Sequence, residues 1–276
     1  MAEKKKQLDR RWIFLTIFLG VALPLILKIG LPISVSENVR NVYELVENTP
    51  PDSKVILSFD YDPASKPELH PMARAVVKQC FQKNLKIIFT ALWPMGVQMA
   101  SDIVDQLKDE FPNLKYGENY VNLGYKAGGM VTIQAMGRNL RAIFPQDMNG
   151  TSIDELPIMN GVNNFETIAF VISFSAGDPG IKQWVQVAHD TYKLKTSGGV
   201  TGVSAPAILP YVNEQKQLTG LIAGLKGAAE YEKLIRTLGT ATSGMDAQSL
   251  AHLIIIVFIL TANINFWIAK KKEKKK

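Results

Sequence analysis

Apolar residues form two long runs at the ends of the chain and recur at shorter intervals between them. Residues 12–33 and 249–268 are apolar enough to cross a bilayer. About twenty residues rising about 1.5 Å each span a hydrocarbon core of about 30 Å. Pro24 interrupts the first run, and Lys28 sits near its outer end, where a long side chain can snorkel to the interface. Trp267 falls at headgroup level in the second, just before a run of lysines.

Between these runs, strand-like and helix-like patterns alternate. Residues 54–60, 85–92 and 167–174 are short apolar runs of buried-strand type. A short strand is expected within 114–125 and another over 198–203. Residues 35–48, 67–84, 95–111, 126–143 and 181–192 show helical spacing; Met72, Val76, Val77, Cys80 and Phe81 form the expected buried face of the second. Residues 151–165 read as loop. Strands alternating with helices predict right-handed crossovers and an α/β fold. That fold is a mostly parallel sheet sandwiched by helices, Rossmann-like and three-layered, with a transmembrane helix at each end.

Residues 214–238 read as a last helix, with Gly220, Gly224 and Gly227 on one ridge, and 239–244 as a linker. Glycine costs about 1 kcal/mol in a helix interior, so these positions call for close approach by another backbone. That backbone is the domain's own sheet, a second copy of the chain or a membrane partner.

Charge assigns the ends. The chain has 31 Lys+Arg, 25 Asp+Glu and a net charge of +6. Lys4, Lys5, Lys6, Arg10 and Arg11 precede the first apolar run, and lysines dominate 270–276. Residues 34–269 carry 19 Lys/Arg against 22 Asp/Glu. The basic character thus belongs to the tails, which argues against nucleic acid as a partner and for the lipid bilayer. Cationic flanks stay cytoplasmic. This predicts a basic cytoplasmic tail (1–11), an uncleaved signal-anchor span (12–33), an extracytoplasmic α/β domain (34–247), a second span (249–268) and a Lys-rich cytoplasmic tail (269–276). A cleaved signal peptide is the rival reading of the amino end; it would leave the domain on the same side.

One cysteine, Cys80, and three scattered histidines give no zinc-type ligand spacing. No phosphate-binding Walker sequence or GxGxxG occurs, and Gly202-Val-Ser204-Ala-Pro206 falls one glycine short of a nucleophile elbow. Ligands of parallel sheets bind beyond the carboxyl ends of the strands. Asp60-Tyr61-Asp62, Thr90 and the 175–180 loop (Ser175, Gly177, Asp178, Gly180) fall there. Two carboxylates can hold a cation or divide acid and base roles; alternatively, they cap the following turn. The 175–180 loop and Lys126-Ala-Gly128-Gly129 each open a helix, where N–H groups favour an anion.

The order Asp-x-Asp, Thr, then Gly-Asp resembles haloacid-dehalogenase-type phosphohydrolases. The resemblance implies Asp60 as nucleophile, Asp62 as acid/base, Thr90 as phosphate ligand, and Asp60, Asp62 and Asp178 around Mg2+. Pro63-Ala64 and Lys182 depart from that pattern. The first expectation is therefore a membrane protein that displays an α/β domain for ligand binding or assembly with membrane partners, without a cofactor. A membrane-tethered metal-dependent hydrolase of an anionic substrate is the second.

Overall fold

The computed structural model describes residues 10–273; Lys4, Lys5 and Lys6 of the first tail and residues 274–276 of the last lie outside the described residues. In chain order, the apolar helix α1 (Arg10–Leu27) precedes α2 (Glu37–Glu47) and β1 (Lys54–Asp60). Helix α3 (Lys66–Gln82), β2 (Lys86–Ala91), α4 (Gly96–Leu107) and β3 (Tyr120–Tyr125) follow. After α5 (Met130–Ile143) come short 3-10 turns, β4 (Ile168–Ser175), α6 (Ile181–Trp184), a π turn (Val185–His189) and β5 (Thr196–Val200). The chain ends with α7 (Ala205–Ile208), β6 (Leu221–Ala223), α8 (Gly224–Leu234) and the apolar helix α9 (Thr240–Glu273). It divides into two units: Ile33–Thr237, and the chain ends Met1–Pro32 with Leu238–Lys276.

The first unit is a six-stranded sheet in the order β3-β2-β1-β4-β5-β6, and every pairing is parallel. Parallel strands bury both faces, and β1 shows why its sequence suits that role. Val55, Leu57 and Phe59 point to one side and Ile56, Ser58 and Asp60 to the other, all fully buried. On the first side Phe59 packs its ring 5.6 Å from Phe89 and 5.4 Å from Phe174. On the second, Ile56, Ile88 and Val121 meet Ile133 and Met136 of α5 and Trp184 of α6. Helices on both faces complete the three-layer architecture that the sequence predicts.

Four local expectations are corrected. Residues 214–238 are not one helix: Leu221–Ala223 forms a sixth strand beside β5, and α8 begins only at Gly224, whose φ of +60 lies outside the right-handed helical region. The expected linker 239–244 is helical from Thr240. The strand expected over 198–203 is Thr196–Val200, and the helix expected over 181–192 is a short turn followed by a π segment.

In the other unit, α1 and α9 are each long and apolar enough to cross a membrane. Gly20 leaves room for Ile254 of α9. α1 stops at Leu27, short of the expected 12–33 span, because Lys28 (φ 47) and Gly30 (φ 72) leave the helical region. The carboxylate of Asp246 then accepts the N–H of Gly30 at 2.7 Å and of Leu31 at 3.0 Å.

Candidate functional site

In this strand order the sheet's connections reverse between β1 and β4, and the carboxyl ends of those strands form the expected ligand crevice. Asp60 closes β1 at that point. Its Oδ1 accepts from Ser58 Oγ (2.7 Å) and the Leu92 N–H (2.8 Å); its Oδ2 accepts from Ser173 Oγ (2.7 Å) and Trp184 Nε1 (3.2 Å). A carboxylate offers about four lone-pair positions, and all are taken. Burial pushes its pKa up to about 6 from the ordinary 3.8, while the Ser173, Leu92, Ser58 and Trp184 donors pull it down. The group is a sealed pin between strands, with no free oxygen for attack or for a cation.

The other expected residues are placed separately. Asp62 accepts the Ala64 N–H at 3.1 Å and caps the turn after β1, the structural role open to it from sequence. Thr90 is 2% exposed and its hydroxyl has no hydrogen-bond partner. In the 175–180 loop, Ser175 Oγ accepts the Ile181 N–H (3.1 Å), and Gln183 Oε1 accepts the Gly180 N–H (2.8 Å). Gln183 also donates to Asp178 at 2.6 Å. These side chains use the N–H groups that the anion reading needs, and the Asp178 carboxylate repels the same ligand. Lys126 lies 5.6 Å from the ring centre of Phe144.

Gly129 does meet the 175–180 loop: a Cβ there would lie 3.1 Å from the Pro179 ring. Trp93 Nε1 donates to the Pro179 carbonyl at 2.7 Å. The connections that follow β2, β3 and β4 thus meet one another at the carboxyl ends of the strands. A cleft of about 240 Å3 remains beside them, lined by Ser175, Gly177, Asp178, Lys182, Gln183 and Ser204.

The donor set does not fit Mg2+. Among the described residues, no three of His, Cys, Asp and Glu group to hold a metal ion, and Asp60, Asp62 and Asp178 each have separate partners. The glycine ridge is corrected as well. Gly220 precedes β6 and is crossed by the Asn38 carbonyl and Val42 of α2; Gly224 faces Gly202 and Glu68; Gly227 faces Ile222. Each serves packing inside this unit, and no single helix presents all of them.

The strand-end connections carry something the sequence reading missed. Met95, Tyr125, Met130, Val131 and Val203 are exposed; Val131 reaches 73% and Val203 89%. Tyr125 closes β3, Met130 and Val131 open α5 after it, Met95 follows β2 and Val203 follows β5, so all sit on the carboxyl-end side of the sheet. Apolar residues scattered over strand ends, loops and a helix start share no periodicity, and only the common side of the sheet relates them.

The fold and edge define a doubly wound α/β domain in a chain that also carries two apolar terminal helices. No family model matches the chain, and no curated protein or solved structure is detectably similar to it. Function must therefore be argued from the geometry.

Proposed function

We propose that the protein is a two-span membrane protein whose α/β unit works outside the cytoplasm as a non-catalytic assembly module. In this reading both tails are cytoplasmic and the first span is an uncleaved signal anchor. The basic residues on the outer flank of each apolar helix support the orientation. The apolar strand-end edge carries the assembly role. Five exposed apolar side chains on the side of the sheet where strands end support it, and methionine and tyrosine are typical of protein contacts. The occupant is accordingly an envelope protein with an apolar contact surface. The hydrolase reading lacks comparable support, because its nucleophile is sealed and its carboxylates are separately engaged.

The test is crosslinking in intact membranes from a photoreactive residue at Val131 or Val203. A discrete adduct, lost when Met95 and Met130 become Glu, supports the module. Diffuse adducts, or equal labelling from position Lys115, defeat it; a dimer-sized adduct names a second copy instead of a different protein, and a lipid adduct names the bilayer. The orientation fails if a reporter fused after Gly239 proves cytoplasmic.

A further inference from the structure

A cleft of about 450 Å3 lies at the opposite edge of the sheet, where the strands begin. Lys193 and Lys195 line it from the connection into β5, Lys216 and Thr219 from the connection into β6, Glu44 from α2 and Asn48 from the cap that ends α2. The clustering runs against the unit's overall charge, since residues 34–237 hold 19 Lys/Arg and 21 Asp/Glu. Several lysines of this unit pair with carboxylates, Lys66 with Asp102, Lys78 with Glu110, Lys83 with Glu47 and Lys86 with Asp52, while others such as Lys54 and Lys126 do not. Among the described residues, no carboxylate pairs with Lys193, Lys195 or Lys216. The nearby Asp190 is hydrogen-bonded by His189 (2.9 Å) and by Gln217 (3.1 and 3.2 Å), and it feels the Lys193 charge only beyond ion-pair distance.

The backbone sets two of these lysines in tight turns. Lys193 (φ 57) and Lys216 (φ 53) both adopt the left-handed region, which glycine or asparagine occupies at less cost. Lys193 stands at the position closing a helix, with its N–H on the His189 carbonyl and the Leu194 N–H on Ala188, where glycine is the usual residue. Lys193 spends one donor on the Asp190 carbonyl (3.0 Å) and keeps two.

We propose that this cleft binds a small multivalent oxyanion of the phosphate-ester class, with Lys193, Lys195 and Lys216 as its cationic ligands. Asn48 and Thr219 offer neutral hydrogen bonds, and Glu44, the one carboxylate of the lining, is placed to accept from any hydroxyl that the ligand carries. A soluble sugar phosphate and the headgroup of an anionic lipid share this chemistry.

The experiment is calorimetric titration of the full chain in phosphatidylcholine nanodiscs. Glycerol 3-phosphate and inorganic pyrophosphate represent the soluble source; nanodiscs doped with phosphatidic acid represent the lipid one. Saturable binding of either class is expected, weakened about tenfold by each of Lys195→Gln and Lys216→Gln, the factor that one charge-assisted hydrogen bond carries. The double Arg variant should retain binding, and all variants should melt as the parent does. The proposal is overturned if neither class binds, if the double Gln variant binds unchanged, or if Lys115→Gln weakens binding equally.

Discussion

Ser173 Oγ donates to Asp60 Oδ2 at 2.7 Å, tying β4 to β1 at the point where the sheet's connections reverse. With Ser58, Leu92 and Trp184 on the remaining positions, this carboxylate joins two strands, the β2 connection and α6. Where many sheets of this order keep an open crevice, this one has a polar bolt.

That bolt predicts a pH signature. The folded pKa of Asp60 is raised to about 6, so its contribution to stability is present in full below about 4 and is lost as pH rises through 6. His70 runs the other way. Burial, then Lys66, lowers its pKa to about 4, so its contribution is present above 6.5 and lost as pH falls through 4. The two slopes oppose each other, each on the order of 2–3 kcal/mol. Urea melts from pH 4 to 8 should therefore be flatter for the parent than for Asp60→Asn or His70→Gln, with the two variants tilting in opposite directions. Variants that tilt the same way would refute the assignment.

Asp60→Asn should also destabilise at pH 7. An amide presents N–H where Trp184 Nε1 or Leu92 N–H now donates, leaving a buried donor unsatisfied at about 1–3 kcal/mol. Chemical denaturation measures this directly. An unchanged midpoint would mean that the serine hydroxyls absorb the swap.

Thr90→Val tests what the orphan hydroxyl does. With no partner to lose, removal of the hydroxyl should raise stability by about 1 kcal/mol or more. A phosphate-binding Thr90 would instead leave stability flat and weaken ligand binding, which titration with inorganic phosphate detects.

Gly220→Val should lower the melting temperature, because its side chain meets the Asn38 carbonyl and Val42; strain of this kind costs about 1–3 kcal/mol. Mass in detergent should not change. A lower mass without loss of stability would restore the idea of glycine-mediated association.

Asp246→Ala should free the segment after α1, since two N–H groups lose their acceptor. Limited trypsinolysis in detergent reads this as faster cleavage after Lys28. Equal rates would show that the segment is held by other contacts.

The layered α/β fold was legible because β1, β2 and β4 are unbroken apolar runs and the helices between them keep their spacing. The sixth strand was not. Leu221-Ile-Ala is too short to show a period, and the glycines on both sides mimic a helical ridge. The acidic pair misled for a related reason. Sequence places Asp60 at a strand end but does not show that Ser58 and Ser173 share its face or that Trp184 reaches it. Those polar residues at inward positions of apolar strands were the available signal. The basic cleft escaped notice because its lysines lie in two separate loops, each unremarkable until β5 and β6 pair.

The α/β unit begins and ends at one corner: Lys233 Nζ donates to the Ile33 carbonyl at 2.6 Å, and Ser36 donates to Glu230 through N–H (2.9 Å) and Oγ (2.6 Å). Any pull transmitted along the two chain ends is thus borne first by these few bonds, which act as a strain relief. Both boundaries of the unit therefore fall at one place, outside its sheet, where a cut passes through linking chain and not through the core.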